Sequence, residues 1–148
     1  FRKFNTTVMN ILILQGPNLN LLGLKSAQIR ERLTLDKLNK KIKAEIKVQQ
    51  TQLKFLQTHK TFQAINFLQR NRNTASGLLF IPTSWARNNY TVLETISLIK
   101  IKTSVVYFEE PYSFGTNENE SIVQSKNIKS FTGPPVSSCI EGIKHLFK

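Results

Sequence analysis

At 148 residues with 40% apolar side chains, the chain has the length and composition of one globular domain with an ordinary core. It lacks an apolar run long enough for a membrane-spanning helix, and its single cysteine, Cys139, excludes an internal disulfide and points to a reducing compartment. Twenty-one Lys and Arg against nine acids give a net charge of +12, which favours polyanionic partners such as nucleic acid or an anionic membrane surface.

Residues 1–10 carry Arg2 and Lys3 without an acid and read as a basic arm, of the kind left when an organellar presequence is cut; residues 11–148 read as the folded domain. Ile11–Leu14 is an apolar run expected as a buried strand, and it enters the turn Gly16-Pro17-Asn18 directly. Leu35, Leu38, Ile42 and Ile46 recur at helical spacing, with Lys37, Lys40, Lys41, Lys43 and Lys47 over much of the remaining helix surface. Further strands are expected near Leu53–Leu56, Leu78–Ile81, Ser104–Phe108 and Ile128–Phe131. Helices fall between them, marked by Phe62, Ile65 and Leu68, then by Val92, Leu93, Ile96 and Ile99. Val136, Ile140, Ile143 and Phe147 mark a terminal helix. Alternation of this kind predicts a three-layer α/β sandwich around a parallel sheet. Its strand-exit loops, beginning at Gln15, near Thr58, at Pro82 and at Glu109, should build any small-molecule site.

The stretch Gln15-Gly16-Pro17-Asn18-Leu19-Asn20-Leu21-Leu22-Gly23, following its apolar strand, resembles the signature loop of the type II 3-dehydroquinate dehydratases. The resemblance implies a flavodoxin-like fold with a five-stranded parallel sheet, an active site at the strand exits, and trimers packed into dodecamers. Asn18 matches the family's active-site asparagine. Where the family has a lid arginine and a proton-abstracting tyrosine, this chain has Lys25, Arg30 and Glu31. Ile81 and Arg87 stand in the places of an asparagine and a histidine, although Pro82 is kept. Glu109 replaces the general-acid histidine, and Pro111 falls where hydroxyl and main-chain donors hold the substrate carboxylate. A guanidinium has no lone pair with which to act as a base. Asn18, Lys25, Arg30, Ile81, Arg87, Glu109 and Pro111 therefore read as degenerate positions with no catalytic residue among them.

From charge and these replacements we expect an inactive relative, acting as a structural subunit of a ribonucleoprotein, a mitochondrial ribosome in the matrix. Its partners would be ribosomal RNA and neighbouring proteins, in a chain without membrane insertion. Phosphate contacts are assigned to Lys37, Lys40, Lys41, Lys43, Lys47, Arg70 and Arg72, and to Arg30, Arg32 and Arg87 around the former pocket. The alternatives are a divergent active dehydratase and a non-RNA scaffold subunit of a mitochondrial respiratory complex. No cofactor is expected: there is no Walker or dinucleotide motif, and His59, Cys139 and His145 share no metal-ligand spacing.

Overall fold

A computed structural model describes residues 9–46 and 50–148. The strands are β1 (Met9–Gln15), β2 (Thr51–Gln57), β3 (Gly77–Ile81), β4 (Thr103–Phe108) and β5 (Ile128–Gly133). The helices are α1 (Leu22–Lys25), α2 (Leu35–Ile46), α3 (Thr61–Asn71), α4 (Trp85–Asn88), α5 (Tyr90–Ile99) and α6 (Pro135–Leu146). All pairings are parallel, and the sheet order β2-β1-β3-β4-β5 is that of the flavodoxin-like fold. The α/β three-layer sandwich expected from the sequence is the fold observed.

Each central strand is apolar because it is covered on both sides. Ile11 and Ile13 of β1 face one layer, with Leu38, Ile42 and Ile46 of α2 and Ile143 and Leu146 of α6. Leu12 and Leu14 face the other, with Ala64 and Leu68 of α3 and Val92 and Ile96 of α5. All of these side chains are buried. Two devices, one polar and one steric, tighten α6 against the sheet: the Ser104 hydroxyl donates to the Gly142 carbonyl at 2.7 Å, and Gly142 leaves room for Leu79. β1 starts at Met9, two residues before the run Ile11–Leu14, because its register against β2 extends to Thr51. Residues 1–8 of the basic arm and Lys47 lie outside the described residues. Among the described residues no helix is long and apolar enough to cross a membrane.

At the opposite end from the strand exits, His145 of α6 stacks obliquely on Phe131, with ring centroids 5.8 Å apart. Desolvation, then Lys102, Lys129 and Lys148, lower its pKa from the ordinary 6.5. Below 6.5 the unfolded chain binds this proton first, so His145 costs stability as pH falls through that value towards the lower folded one. His145→Gln should flatten the fall in urea-unfolding stability below pH 6.5 while leaving stability at pH 8 nearly unchanged. An equal slope in both proteins would refute the assignment.

Candidate active site

In an open sheet of this order the crevice lies where the chain leaves β1 and β3 in opposite directions. Here those exits are bonded together. The Gly16 amide donates to the Ile81 carbonyl at 2.8 Å, and the Thr58 amide after β2 donates to the Gln15 carbonyl at 3.0 Å. Gln57 Nε2 donates to the Gly16 carbonyl at 3.0 Å, and the Thr83 hydroxyl to the Pro17 carbonyl at 2.7 Å. A Cβ on residue 16 would lie 2.2 Å from the Pro82 carbonyl oxygen, so only glycine allows this approach. Beyond it Asn18 (φ 68°) and Thr83 (φ 52°) both hold left-handed backbone. That conformation is tolerable for Asn and costly for β-branched Thr, and such strain concentrates at functional sites. The Asn18 amide donates to Nδ1 of His59 at 3.2 Å, and its side chain has no hydrogen-bond partner among the described residues.

The lid, residues 26–34, follows α1 directly. Buried Ser26 holds both ends: its hydroxyl contacts the Leu22 and Leu33 carbonyls at 2.8 and 2.7 Å and accepts from the Leu33 amide at 2.9 Å. Arg32 Nε donates to the Gly23 carbonyl at 3.1 Å. From the β4 exit, the Tyr112 hydroxyl donates to the Glu31 carbonyl at 2.7 Å. Two rims of the crevice therefore meet through a phenol. At the β3 and β4 exits, Ile81, Thr83, Val106, Tyr107, Phe108, Phe114 and Thr116 line a cavity of about 10 Å³. Phe114 packs against the core and Thr116 is buried, so the 113–117 loop covers the β3 and β4 exits.

The residues singled out from sequence divide into groups. Asn18 and Ile81 lie at the β1–β3 junction, and Lys25 and Arg30 are exposed on the α1–lid segment. Arg87 pairs with Glu120 at 3.6 Å. Glu109 binds the end of β5 through its amide, 2.9 Å from the Gly133 carbonyl, and its Oε1 lies close to Gly133. Pro111 is exposed between Glu109 and Tyr112. The cations offered for phosphate contacts do not form one surface. Lys37, Lys40, Lys41 and Lys43 lie on α2, on one face of the sheet, whereas Arg70 and Arg72 end α3 on the other. Lys40 is paired with Asp36 at 3.1 Å, and Lys43 sits 5.2 Å from the Phe55 ring centroid. Burial raises the Cys139 thiol pKa, which keeps it from acting as a nucleophile. Sequence reasoning weighed His59 only as a metal ligand and placed neither His59 nor Tyr112 in the site, though both follow strand exits, which was the available signal.

The model of the family described as "Dehydroquinase class II" matches residues 9–147. The chain belongs to the class II dehydroquinase family. A 3-dehydroquinate dehydratase of Trichodesmium erythraeum is 27% identical over 137 residues, covering 93% of this chain and 91% of that protein. A 3-dehydroquinate dehydratase of Clostridium botulinum is 24% identical over 124 residues, 84% of each. The crystal structure of a type II dehydroquinase from Butyrivibrio crossotus superposes with a TM-score of 0.81 at 21% identity, over 95% of this chain and 98% of that one. One from Propionibacterium acnes superposes with a TM-score of 0.74 at 17% identity, over 96% and 100%.

These findings overturn the expectation of a non-enzymatic ribosomal subunit, and with it the RNA-binding and mitochondrial-ribosome reading. The family and its named relatives are dehydratases. The error was physical. A net charge describes the field of the whole molecule and does not choose a function. Replacing side chains at single matched positions, Arg30 and Glu109, also does not empty a crevice that draws groups from four loops.

Because the Ser26 hydroxyl ties the Leu22 carbonyl of α1 to Leu33 of the lid, Ser26→Ala strands the Leu33 amide and should cost about 1–3 kcal/mol. Hydrogen exchange should accelerate across residues 26–34 more than in β1. Uniform acceleration throughout the chain would show that the hydroxyl does not hold the lid in particular.

Proposed function

We propose that the chain is a 3-dehydroquinate dehydratase. The observation that carries this reading is the family match across residues 9–147, which includes every loop around the crevice. The reaction is loss of water from a β-hydroxy ketone. A base removes a proton from the carbon beside the ketone, charge moves to the carbonyl oxygen, and the carbon–oxygen bond of the β-hydroxyl breaks. The groups available suit this sequence of events. Tyr112 is the phenol at the lid, whereas Tyr107 is buried against Ser121 and Tyr90 is exposed at the start of α5. Tyr112 takes the role of the base in this reading as its phenolate, once its hydroxyl has given up the proton that it donates to the Glu31 carbonyl.

The substrate is an anion, and Arg30 and Arg32 in the lid carry positive charge on the segment that follows α1. Arg30 has no ion pair or hydrogen bond among the described residues, so its guanidinium is available for a carboxylate, a contact suited to bidentate geometry. The cavity of about 10 Å³ at the β3 and β4 exits accommodates no more than about one water, so a substrate reaching into it would displace the 113–117 loop with Phe114. Closure behind the substrate excludes water and strengthens each electrostatic contact within.

The purified chain should turn over 3-dehydroquinate, followed by the ultraviolet absorbance of the enone product. Tyr112→Phe should lower kcat by about 10²–10⁴-fold, the usual effect of removing a positioned base. Turnover no faster than that of heat-denatured protein sinks the reading. Full activity in Tyr112→Phe sinks the assignment of the base alone.

A further inference from the structure

His59 stands at the exit of β2, on the rim of the crevice, and is fixed from two directions. On its chain side, the Thr58 amide is bonded to the Gln15 carbonyl at 3.0 Å, and the Thr58 hydroxyl accepts from the Lys60 amide at 3.0 Å. On its ring side, Nδ1 accepts the Asn18 amide at 3.2 Å. Asn18 can present that amide only because its backbone is left-handed, in the turn held by Gly16 against Pro82 and by Thr83 against Pro17. The most strained part of the crevice therefore ends in a bond to one imidazole nitrogen.

This arrangement sets the tautomer. A neutral ring whose Nδ1 lone pair is occupied by a main-chain N–H carries its proton on Nε2. Nε2 has no protein partner among the described residues, and the side chain is exposed. We propose that His59 is a neutral hydrogen-bond donor to the substrate's carbonyl oxygen, stabilising the charge that this oxygen gains as the enolate forms. The proposal rests on the dehydratase reading.

His59 does not transfer a proton. A neutral ring that gave up its Nε2 proton would become an imidazolate, and the Asn18 amide is far too weak an acid to give Nδ1 a proton. When Tyr112 removes the α-proton, the carbon–hydrogen electron pair moves to the carbonyl oxygen, where Nε2–H meets it. The pair then returns to expel the β-hydroxyl, which leaves as water with one proton from solvent. The removed proton returns to solvent, so nothing is oxidised or reduced. A donor aimed at developing charge and fixed beforehand acts like an oxyanion-hole group and contributes without reorganising.

The test has a spectroscopic arm and a kinetic arm. In the free protein, ¹⁵N-edited NMR should show His59 with protonated Nε2 and bare Nδ1, and adding 3-dehydroquinate should shift Nε2. An Nδ1–H tautomer, or no shift at saturating substrate, overturns the proposal whether or not turnover is seen. His59→Leu should lower kcat by about 100-fold with KM changed by less than about threefold. The shape of the pH–kcat profile should be unchanged. Loss of one limb of that profile would mean that His59 moves protons, and overturns the proposal. His59→Asn keeps an acceptor and an N–H donor on one side chain, so it should recover part of the lost kcat. Recovery of nothing, with native unfolding midpoints in both variants, counts against it. Wild-type protein without turnover defeats the dehydratase reading, while the NMR arm still decides the role of His59.

Discussion

The architecture of the crevice depends on one contact, the seat of Gly16 on the Pro82 carbonyl. With any Cβ at residue 16, the exits of β1 and β3 could not lie so close, since that atom would fall 2.2 Å from the carbonyl oxygen. The approach lets the Gly16 amide extend the β1–β3 ladder one bond beyond the sheet, to Ile81. Pro17 is thereby placed for the Thr83 hydroxyl, and the chain must then reverse through a left-handed Asn18. Each step removes freedom from the next. Strain at Asn18 and Thr83 persists because the surrounding bonds over-determine it.

The positive charge of the chain has a simpler account in this structure than a polyanion partner. Its cations are divided between the two faces of the sheet, on α2 and at the end of α3, and several are engaged locally. Arg32 binds the Gly23 carbonyl of α1, Arg72 binds the Gln69 carbonyl, and Arg87 pairs with Glu120. A summed excess still raises the local concentration of any small anion near the crevice. Global charge and local recognition are separate properties, and a count of lysines speaks only to the first.

The fold was legible because the central strands are covered on both sides. Ile11–Leu14 and Leu78–Ile81 had to be apolar throughout, and Leu38, Ile42 and Ile46 had to recur at helical spacing to cover them. Those patterns arise from the layer architecture itself, so they survive extensive substitution. The four-residue helices α1 and α4 carry too few residues for any period to show, and both went unread. The left-handed Thr83 was also invisible, because no β-branched residue advertises a positive φ; it is imposed by the contact with Pro17. His59 and Tyr112 were visible as residues but not as members of the site. Their relevance comes from bonds across 41 and 81 positions of sequence, which no local window contains.

That distance explains why reading chemistry from matched positions failed here. A crevice at strand exits is a meeting of loops, so a phenol or an imidazole can reach it from more than one rim. Arg30 occupies the place where the family resemblance puts a tyrosine, yet the lid it belongs to accepts a bond from the phenol of Tyr112 at 2.7 Å. Glu109 occupies the place of a histidine, yet a histidine is held against Asn18 from the β2 exit. In the proposed reading a neutral imidazole there supplies a donor and not an acid, which would be a redistribution of roles and not a like-for-like exchange. What this chain fixes physically is the turn that orients Asn18, since any group bonded to that amide inherits its geometry.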